Sequence, residues 1–334
     1  MQGEGCQGGV QERLRAEGSS DTLIYLSCKY TPMPLLVELA VRDPAGVGYS
    51  LAQAVNRHSS WNARLIAEFP HPYGYPTDIV VRKGDHSEEI RELISSADYI
   101  LFVGSCYDYR PLGLKLPRDT PRGIWHVGSA YRQGWKFYNE HVHPGMKHVF
   151  VTEAARALYK KAHILRNPYD CENQPLVEKD WSGPLLVGHS PSNPSIKGTE
   201  HFTRAVARLC KRHPNVHPIM IEGADNRTCV KLKKPLHIFF DQILNVKMPE
   251  GYLREYGVSL IEAGCFGAAC LAAVDLKPTP IIDVRNEDDI VEAVERLYRD
   301  RGELEELALE TREYLTLRHS YRVIANDFLQ VIER

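Results

Sequence analysis

The sequence predicts an α/β protein of two Rossmann-like domains with a cleft between them. Apolar, β-branched runs of strand length alternate with helical patterns, the signature of βαβ units in a parallel sheet. A length of 334 residues suits two domains. A polar, aperiodic stretch over residues 167–183, with Pro168 and Pro175, separates two such alternating halves and reads as the link between them. Ligands of open α/β sheets bind beyond the carboxyl ends of the strands, so the ends of both sheets are expected at a shared cleft.

Residues 1–21 are glycine-rich and polar, without the apolar centre of a signal peptide, and are expected to be a flexible tail. The first domain, residues 22–168, offers strands at Thr22–Ser27, Leu35–Val41, Ala63–Ala67, Asp78–Val81, Tyr99–Val103, Gly123–Val127 and Lys147–Thr152. A helix over Ser50–Arg57 follows the glycine loop Asp43–Tyr49 directly. A second, Ser87–Ser95, sets Ile90, Leu93 and Ile94 on one side and begins with a capping serine and first-turn acids. After the link at 169–183, the second domain (184–314) offers strands at Leu185–Val187, His217–Ile221, Leu236–Phe240, Ala269–Val274 and Pro280–Ile282. Its helix Thr199–His213 aligns Phe202, Ala205, Val206, Leu209 and Cys210, and Asn286–Arg299 aligns Ile290, Ala293, Val294 and Leu297. Residues 315–334 end in the helix Ser320–Glu333, with Tyr321, Ile324, Ala325, Phe328, Leu329 and Ile332 in its apolar stripe.

With 43% hydrophobic and 25% charged residues the composition is that of an ordinary soluble protein. A net charge of −2 provides no global field for nucleic acid or acidic lipid, and no nucleic-acid partner is expected. The basic run Lys231–Lys234 reads as solvated surface; a lipid or phosphate patch is the alternative, which leaves peripheral membrane contact open. No apolar run approaches the ~18–20 residues of a membrane span. The eight cysteines are scattered with no Cys-x2-Cys pair, which argues against a zinc site and a disulfide scaffold. Reduced thiols and a cytoplasmic location are the corresponding expectations.

The most informative segment is His189–Gly198, HSPSNPSIKG. It follows an apolar run and precedes a strongly periodic helix. Unpaired N–H groups and the partial positive charge of a helix start favour phosphate there, and Lys197 adds a full cation. The Walker spacing is absent, and an ordinary βα turn with a solvated lysine is the competing reading. His189 could donate one hydrogen bond or be a structural histidine. Gly188–Ser192 lacks the second glycine of a nucleophile elbow, and Pro191 and Pro194 oppose its sharp turn, which argues against a serine hydrolase. Glu287-Asp288-Asp289 opens a helix, where first-turn acids need no metal; no obligatory metal is expected.

The segment Asp241–Leu271 changes the weight of that first one. Lys197-Gly198, Asp241-Gln242, Tyr256-Gly257, Glu262-Ala263 and Gly267 together resemble the C-terminal half of retaining GT-B glycosyltransferases, nearest to family 4, "glycosyl transferases group 1". Shorter likenesses extend it over about residues 35–333: the glycine loop Asp43–Tyr49, Gly128-Ser129…Arg132, and Arg166-Asn167-Pro168…Asp170. The family's Glu-x7-Glu is degenerate, because Arg254 stands at its first acid with Glu255 one residue later. Val127 and Ala130 stand where the family has a histidine and an acid.

The resemblance implies a GT-B fold whose last helix crosses back to the first domain. It also implies transfer of a sugar from a nucleoside diphosphate sugar to an acceptor hydroxyl, with retention and without a metal. The acceptor would be a glycan, a lipid-linked sugar or a small metabolite. A non-catalytic nucleotide-sugar-binding protein and a sugar-nucleotide epimerase are the alternatives. On this reading Lys197 and Gly198 hold the diphosphate with His189, and Glu262 takes the ribose, with Asp241, Tyr256 and Gly257 beside them. Gly46 and Gly48 face the sugar and acceptor, Ser129 and Arg132 contact sugar or acceptor, and His126 is a catalytic or sugar-contacting group. Each has a plainer alternative: a first-turn acid for Glu262, a turn residue for Asp241, simple turns for the glycines, a surface salt bridge for Arg132 and a core histidine for His126.

Overall fold

A computed structural model describes residues 33–81, 87–104, 115–244, 246–248 and 251–334. The expected tail at 1–21 and the expected strand Thr22–Ser27 lie outside these residues. In chain order the first half carries β1 (Leu35–Ala40), α1 (Val47–His58), β2 (Asn62–Ala67), β3 (Ile79–Val80), α2 (Glu88–Ser95), β4 (Tyr99–Val103), β5 (Arg122–His126), α3 (Ser129–Phe137), β6 (His148–Val151) and β7 (His163–Ile164). The second half carries β8 (Leu185–His189), α4 (Thr199–Arg212), β9 (Val216–Met220), α5 (Asn226–Lys233), β10 (Ile238–Phe240), β11 (Val246–Met248), β12 (Gly251–Leu253), α6 (Val258–Cys265), β13 (Ala269–Ala272), β14 (Ile282–Asp283), α7 (Glu287–Arg299), α8 (Arg301–His319) and α9 (Tyr321–Ile332).

The first half forms a parallel sheet in the order β3-β2-β1-β4-β5-β6-β7. The second forms a parallel sheet in the order β14-β13-β10-β8-β9. Helices cover both faces, so the central strands are largely apolar rather than alternating; all of β4 is buried. Leu36 and Ala40 of β1 point to the face covered by α1 and α9, while Val37 and Leu39 point to the face covered by α2 and α3. Ile324, Phe328, Leu329 and Ile332 of α9 enter the core of the first half, so the C-terminal helix crosses back to the N-terminal domain. Among the described residues no helix is long and apolar enough to cross a membrane.

Sequence signals account for the element ends. Ser87 accepts from the Ile90 N–H to cap α2, Asn286 accepts from Asp288 and Asp289 to cap α7, and Asp43 accepts from Gly48 and Tyr49 across the first turn of α1. One expectation is overturned. The run Lys231–Lys234 is not uniformly solvated surface: it includes the end of α5, where Lys233 is 1% exposed. A full charge stays buried only with a partner, which Lys233 finds in α6.

Beneath the first turn of α1 lies a second buried charge problem. Glu38 of β1 is fully buried, and neither carboxyl oxygen has a hydrogen-bond partner. A side chain on Gly48 would sit 3.2 Å from both Glu38 Oε2 and Asp43 Oδ1, so glycine is required by these two carboxyls. Burial, then Asp43 and Asp78, raise the Glu38 carboxyl well above its ordinary value. Burial raises Asp43 to about 6 against the pull of the Tyr49 and Gly48 N–H groups. A carboxyl raised on folding binds its proton more tightly when folded. Its contribution to stability is full below the ordinary carboxylate range and is lost as pH rises towards the folded-state value. Glu38→Gln is therefore expected to leave stability at pH 4 unchanged and to raise it by about 1 kcal/mol or more at pH 8, read from denaturant melts at both pH values. Equal effects at the two pH values would contradict this assignment.

Candidate functional site

A cavity of about 300 Å³ lies between the carboxyl ends of the two sheets. The first half supplies Pro44 and Ala45 after β1, and His71, Tyr73 and Tyr75 after β2. The second supplies Ser190–Ser192 and Lys197 after β8, Ile221, Gly223 and Ala224 after β9, Asn226, Cys229 and Lys233 of α5, Asp241 after β10, and Gly257–Ser259 at the start of α6. The β2–β3 segment straps the two sides together: Tyr73 O accepts from the Asn226 N–H at 2.6 Å, and the Tyr73 hydroxyl reaches Ser192 O at 3.2 Å.

Lys197 is held facing this cavity. Asn193 folds the loop by accepting from the Ser195 N–H and hydroxyl, and its carbonyl accepts from the Lys197 N–H. Gly198 follows with φ +74°, where a side chain would crowd Ile243 at 3.0 Å, so both conformation and space demand glycine. Lys197 Nζ donates to Gln242 Oε1, and Gln242 Nε2 donates to Glu255 O. Asp241 Oδ2 accepts from the Gly257 N–H at 2.6 Å and sets the entry of α6. The Lys197 amine and the Asp241 carboxylate lie at 3.6 Å from the same point beside Gly257. A cation next to the N-terminus of α6 is suited to an anionic group.

Glu262 lies one side-chain layer behind the wall, 2% exposed. Its Oε2 accepts from Lys233 Nζ at 2.5 Å and its Oε1 from Asn226 Nδ2 at 3.3 Å. Lys233 also donates to Ser259 Oγ at 2.7 Å. Burial opposes the ammonium, but Glu262 and its hydrogen bond outweigh it and hold Lys233 above its ordinary value. Tyr75 stands close to Glu262; burial, then the Glu262 charge, raise its hydroxyl well above its ordinary value.

Of the sequence-predicted residues, Lys197, Asp241 and Gly257 line the cavity, and Gly198 and Glu262 support it from behind. The others stand elsewhere. His189 is fully buried: Nδ1 donates to Phe240 O at 3.0 Å, which leaves Nε2 to accept from the Thr199 hydroxyl at 2.8 Å. Burial lowers it to about 4, so it is a neutral ring that anchors α4, and it does not line the cavity. His126 is a core histidine and not a cavity group. It stacks on Tyr131 with ring centroids 4.0 Å apart, meets His143 at 2.8 Å between Nε2 atoms, and is lowered to about 3 by burial and then by His143. Gly46 packs on the Tyr75 ring and Gly48 on Glu38 and Asp43, so both serve protein contacts. The Tyr256 hydroxyl donates to His319 Nε2, since His319 Nδ1 donates to Asn167 O; it ties α6 to the crossing segment. Ser129 is exposed at the start of α3. Arg132 bonds Glu255 at 3.2 Å across the two halves, with side chains 16% and 14% exposed. Burial raises Glu255, opposed by Thr152, Arg132 and Lys197. Glu255, one place out of register with the family pattern, is thus the acid that faces Arg132.

The aromatic strap, Asn226 and Lys233 were not singled out from the sequence. A buried lysine inside a basic run carries no local mark of its partner 29 residues away. The strap motif HPYGYP reads only as a turn. Among the described residues no group of three or more His, Cys, Asp or Glu is placed to hold a metal.

No protein-family model matches the chain, and no curated protein sequence matches it. Solved structures do. An alpha-glucosyltransferase in complex with UDP-glucose and DNA containing an abasic site aligns at TM-score 0.63 and 12% identity, over 90% of this chain and 100% of that one. Anabaena HepE in complex with UDP and glucose aligns at TM-score 0.57 and 10% identity, over 89% and 99%. A putative UDP-N-acetylglucosamine 2-epimerase from Listeria monocytogenes aligns at TM-score 0.58 and 12% identity, over 90% and 95%. Two parallel α/β domains and these alignments establish the GT-B fold.

Removing one member of a buried ion pair leaves an uncompensated charge, which costs ~3–5 kcal/mol. Lys233→Met is expected to lose stability on that scale in a denaturant melt. Adding Glu262→Gln, which removes the stranded charge, is expected to recover most of it. A double variant no more stable than Lys233→Met would show that the two groups are not coupled.

Proposed function

We propose that the protein is a glycosyltransferase that moves a sugar from a nucleoside diphosphate sugar to an acceptor hydroxyl, with retention and without an obligatory metal. The observation that carries this reading is the placement of Lys197 against the N-terminus of α6, inside a cavity closed by both halves of a GT-B fold. In sugar transfer, negative charge develops on the departing diphosphate. A lysine ammonium and the N–H groups of a helix start stabilise that charge where water is scarce. Closure by the Tyr73–Tyr75 strap keeps out water, the competing acceptor. The β9–α5 segment, with Ile221, Gly223 and Ala224, lies where a base would extend from a ribose near Glu262. Uridine diphosphate is the first nucleotide to consider, because several aligned glycosyltransferases were solved with UDP. A glycan, a lipid-linked sugar and a small metabolite are the acceptor classes.

An epimerase is the second reading, favoured by the equally extensive alignment with the Listeria protein. Sugar-nucleotide turnover without any acceptor separates the two. The direct test is a thermal-shift panel of UDP, GDP, ADP, CDP and TDP with their common sugar derivatives, on wild type and Lys197→Ala. A ligand at ~100 times its dissociation constant adds about 2.7 kcal/mol of stability, a readily visible shift. One base is expected to shift the wild type, and Lys197→Ala to bind it at least ~10-fold more weakly, the loss of one charge-assisted contact. Unchanged affinity in the variant would remove Lys197 from the phosphate site, and no shift with any nucleotide would overturn the glycosyltransferase reading.

A further inference from the structure

Lys233 places a full positive charge where water does not reach, at the last turn of α5 and at the inner edge of the cavity. Its ammonium donates to Glu262 and to Ser259. The paired carboxylate is not saturated by this. A carboxylate has about four lone-pair directions. Lys233 takes one and Asn226 another, and Tyr75, which comes from the opposite half of the protein, stands close to the carboxylate. Lys233, Asn226, Ser259 and Tyr75 all line the cavity, so a ligand that enters between them meets the free lone pairs of this carboxylate.

On the nucleotide-sugar reading above, we infer that Lys233 is a positioning residue for ribose: it neutralises Glu262 and aims it at ribose hydroxyls that enter from the cavity beside Tyr75. Without the ammonium the carboxylate is a buried, uncompensated charge and turns towards whatever solvent or donor it can reach. The ribose would lose its acceptor, while the diphosphate contact at Lys197, built on a different loop, would remain. A lysine that merely tied α5 to α6 would behave differently: its loss would weaken all nucleotides alike.

The test compares UDP and GDP with their 2′-deoxy forms, and inorganic pyrophosphate as a ligand without sugar, by titration into wild type and Lys233→Met. The wild type is expected to favour the ribonucleotide by about tenfold or more, the scale of one hydrogen bond to a charged group. In Lys233→Met the preference is expected to fall below about threefold, with pyrophosphate affinity unchanged. If Lys233→Met melts below the assay temperature, Lys233→Gln, which keeps an N–H donor on Glu262 without the charge, is read by ligand-induced melting shifts and is expected to lose the preference too. A folded variant that keeps the wild-type preference overturns the inference. So does a wild type that binds a ribonucleotide and its 2′-deoxy form equally, although nucleotide binding itself then stands. A wild type that binds none of these nucleotides defeats the nucleotide reading on which the inference rests.

Discussion

The burial of α9 on the first domain is the constraint on which the cleft depends. Ile324, Phe328, Leu329 and Ile332 leave the second half of the chain and complete the core formed by β1, β2, β4 and α1. Each buried apolar side chain of this size contributes ~1.5–3 kcal/mol relative to exposure, so the crossing is held by several kcal/mol of nondirectional attraction. Directional bonds fix its angle. Tyr256 bonds His319, which bonds Asn167, and Arg166 and Arg318 both bond Glu153. Burial lowers His319 to about 4, so this joint stays neutral near physiological pH. The carboxyl ends of the two sheets face each other because the chain crosses twice, at residues 165–184 and again at α9.

Within the cleft, charge is arranged in matched pairs at two depths. At the wall, Lys197 lies beside Asp241 and is braced by Gln242. Behind it, Lys233 and Glu262 neutralise each other away from water. The shallow cation can exchange its protein partners for an anionic ligand, since it loses little solvation in doing so. The deep pair cannot separate without leaving a buried charge, so it acts as a rigid floor. Arg132 and Glu255 form a third pair that joins the halves directly. Opening the cleft would therefore separate a partly buried ion pair and the strap bonds of Tyr73, while leaving the α9 joint in place.

Much of the candidate site was legible because it follows from local backbone demands. Gly198 must take a positive φ at the end of a loop before a helix, and the Lys-Gly spacing states this in the sequence. Asp241 and Gly257 come at a strand end and a helix start, which periodicity locates. The expected residues that do not line the cavity share one circumstance. His126, His189, Gly46 and Gly48 occupy the expected positions beside the cleft, but their atoms are engaged by neighbours that are distant in the sequence: His143, Phe240 and Thr199, Tyr75, and Glu38. Helix α8 escaped notice for a related reason. Its buried positions Leu304, Ala308, Thr311, Leu315 and His319 are spaced for a helix, but small or polar residues fill three of them.

The sequence by itself determined the fold class, most of the strands of the two sheets, and the loops that meet at the cleft. These depend on hydrophobic period, caps and turn residues, which act over a few positions along the chain. Only the tertiary structure decided which polar side chains face the cavity and which are consumed within the protein. That choice depends on pairings such as Lys233 with Glu262, Arg132 with Glu255 and Asn226 with Glu262. Such pairings are set by the cost of leaving a buried charge or polar atom unpartnered, and no local pattern encodes them.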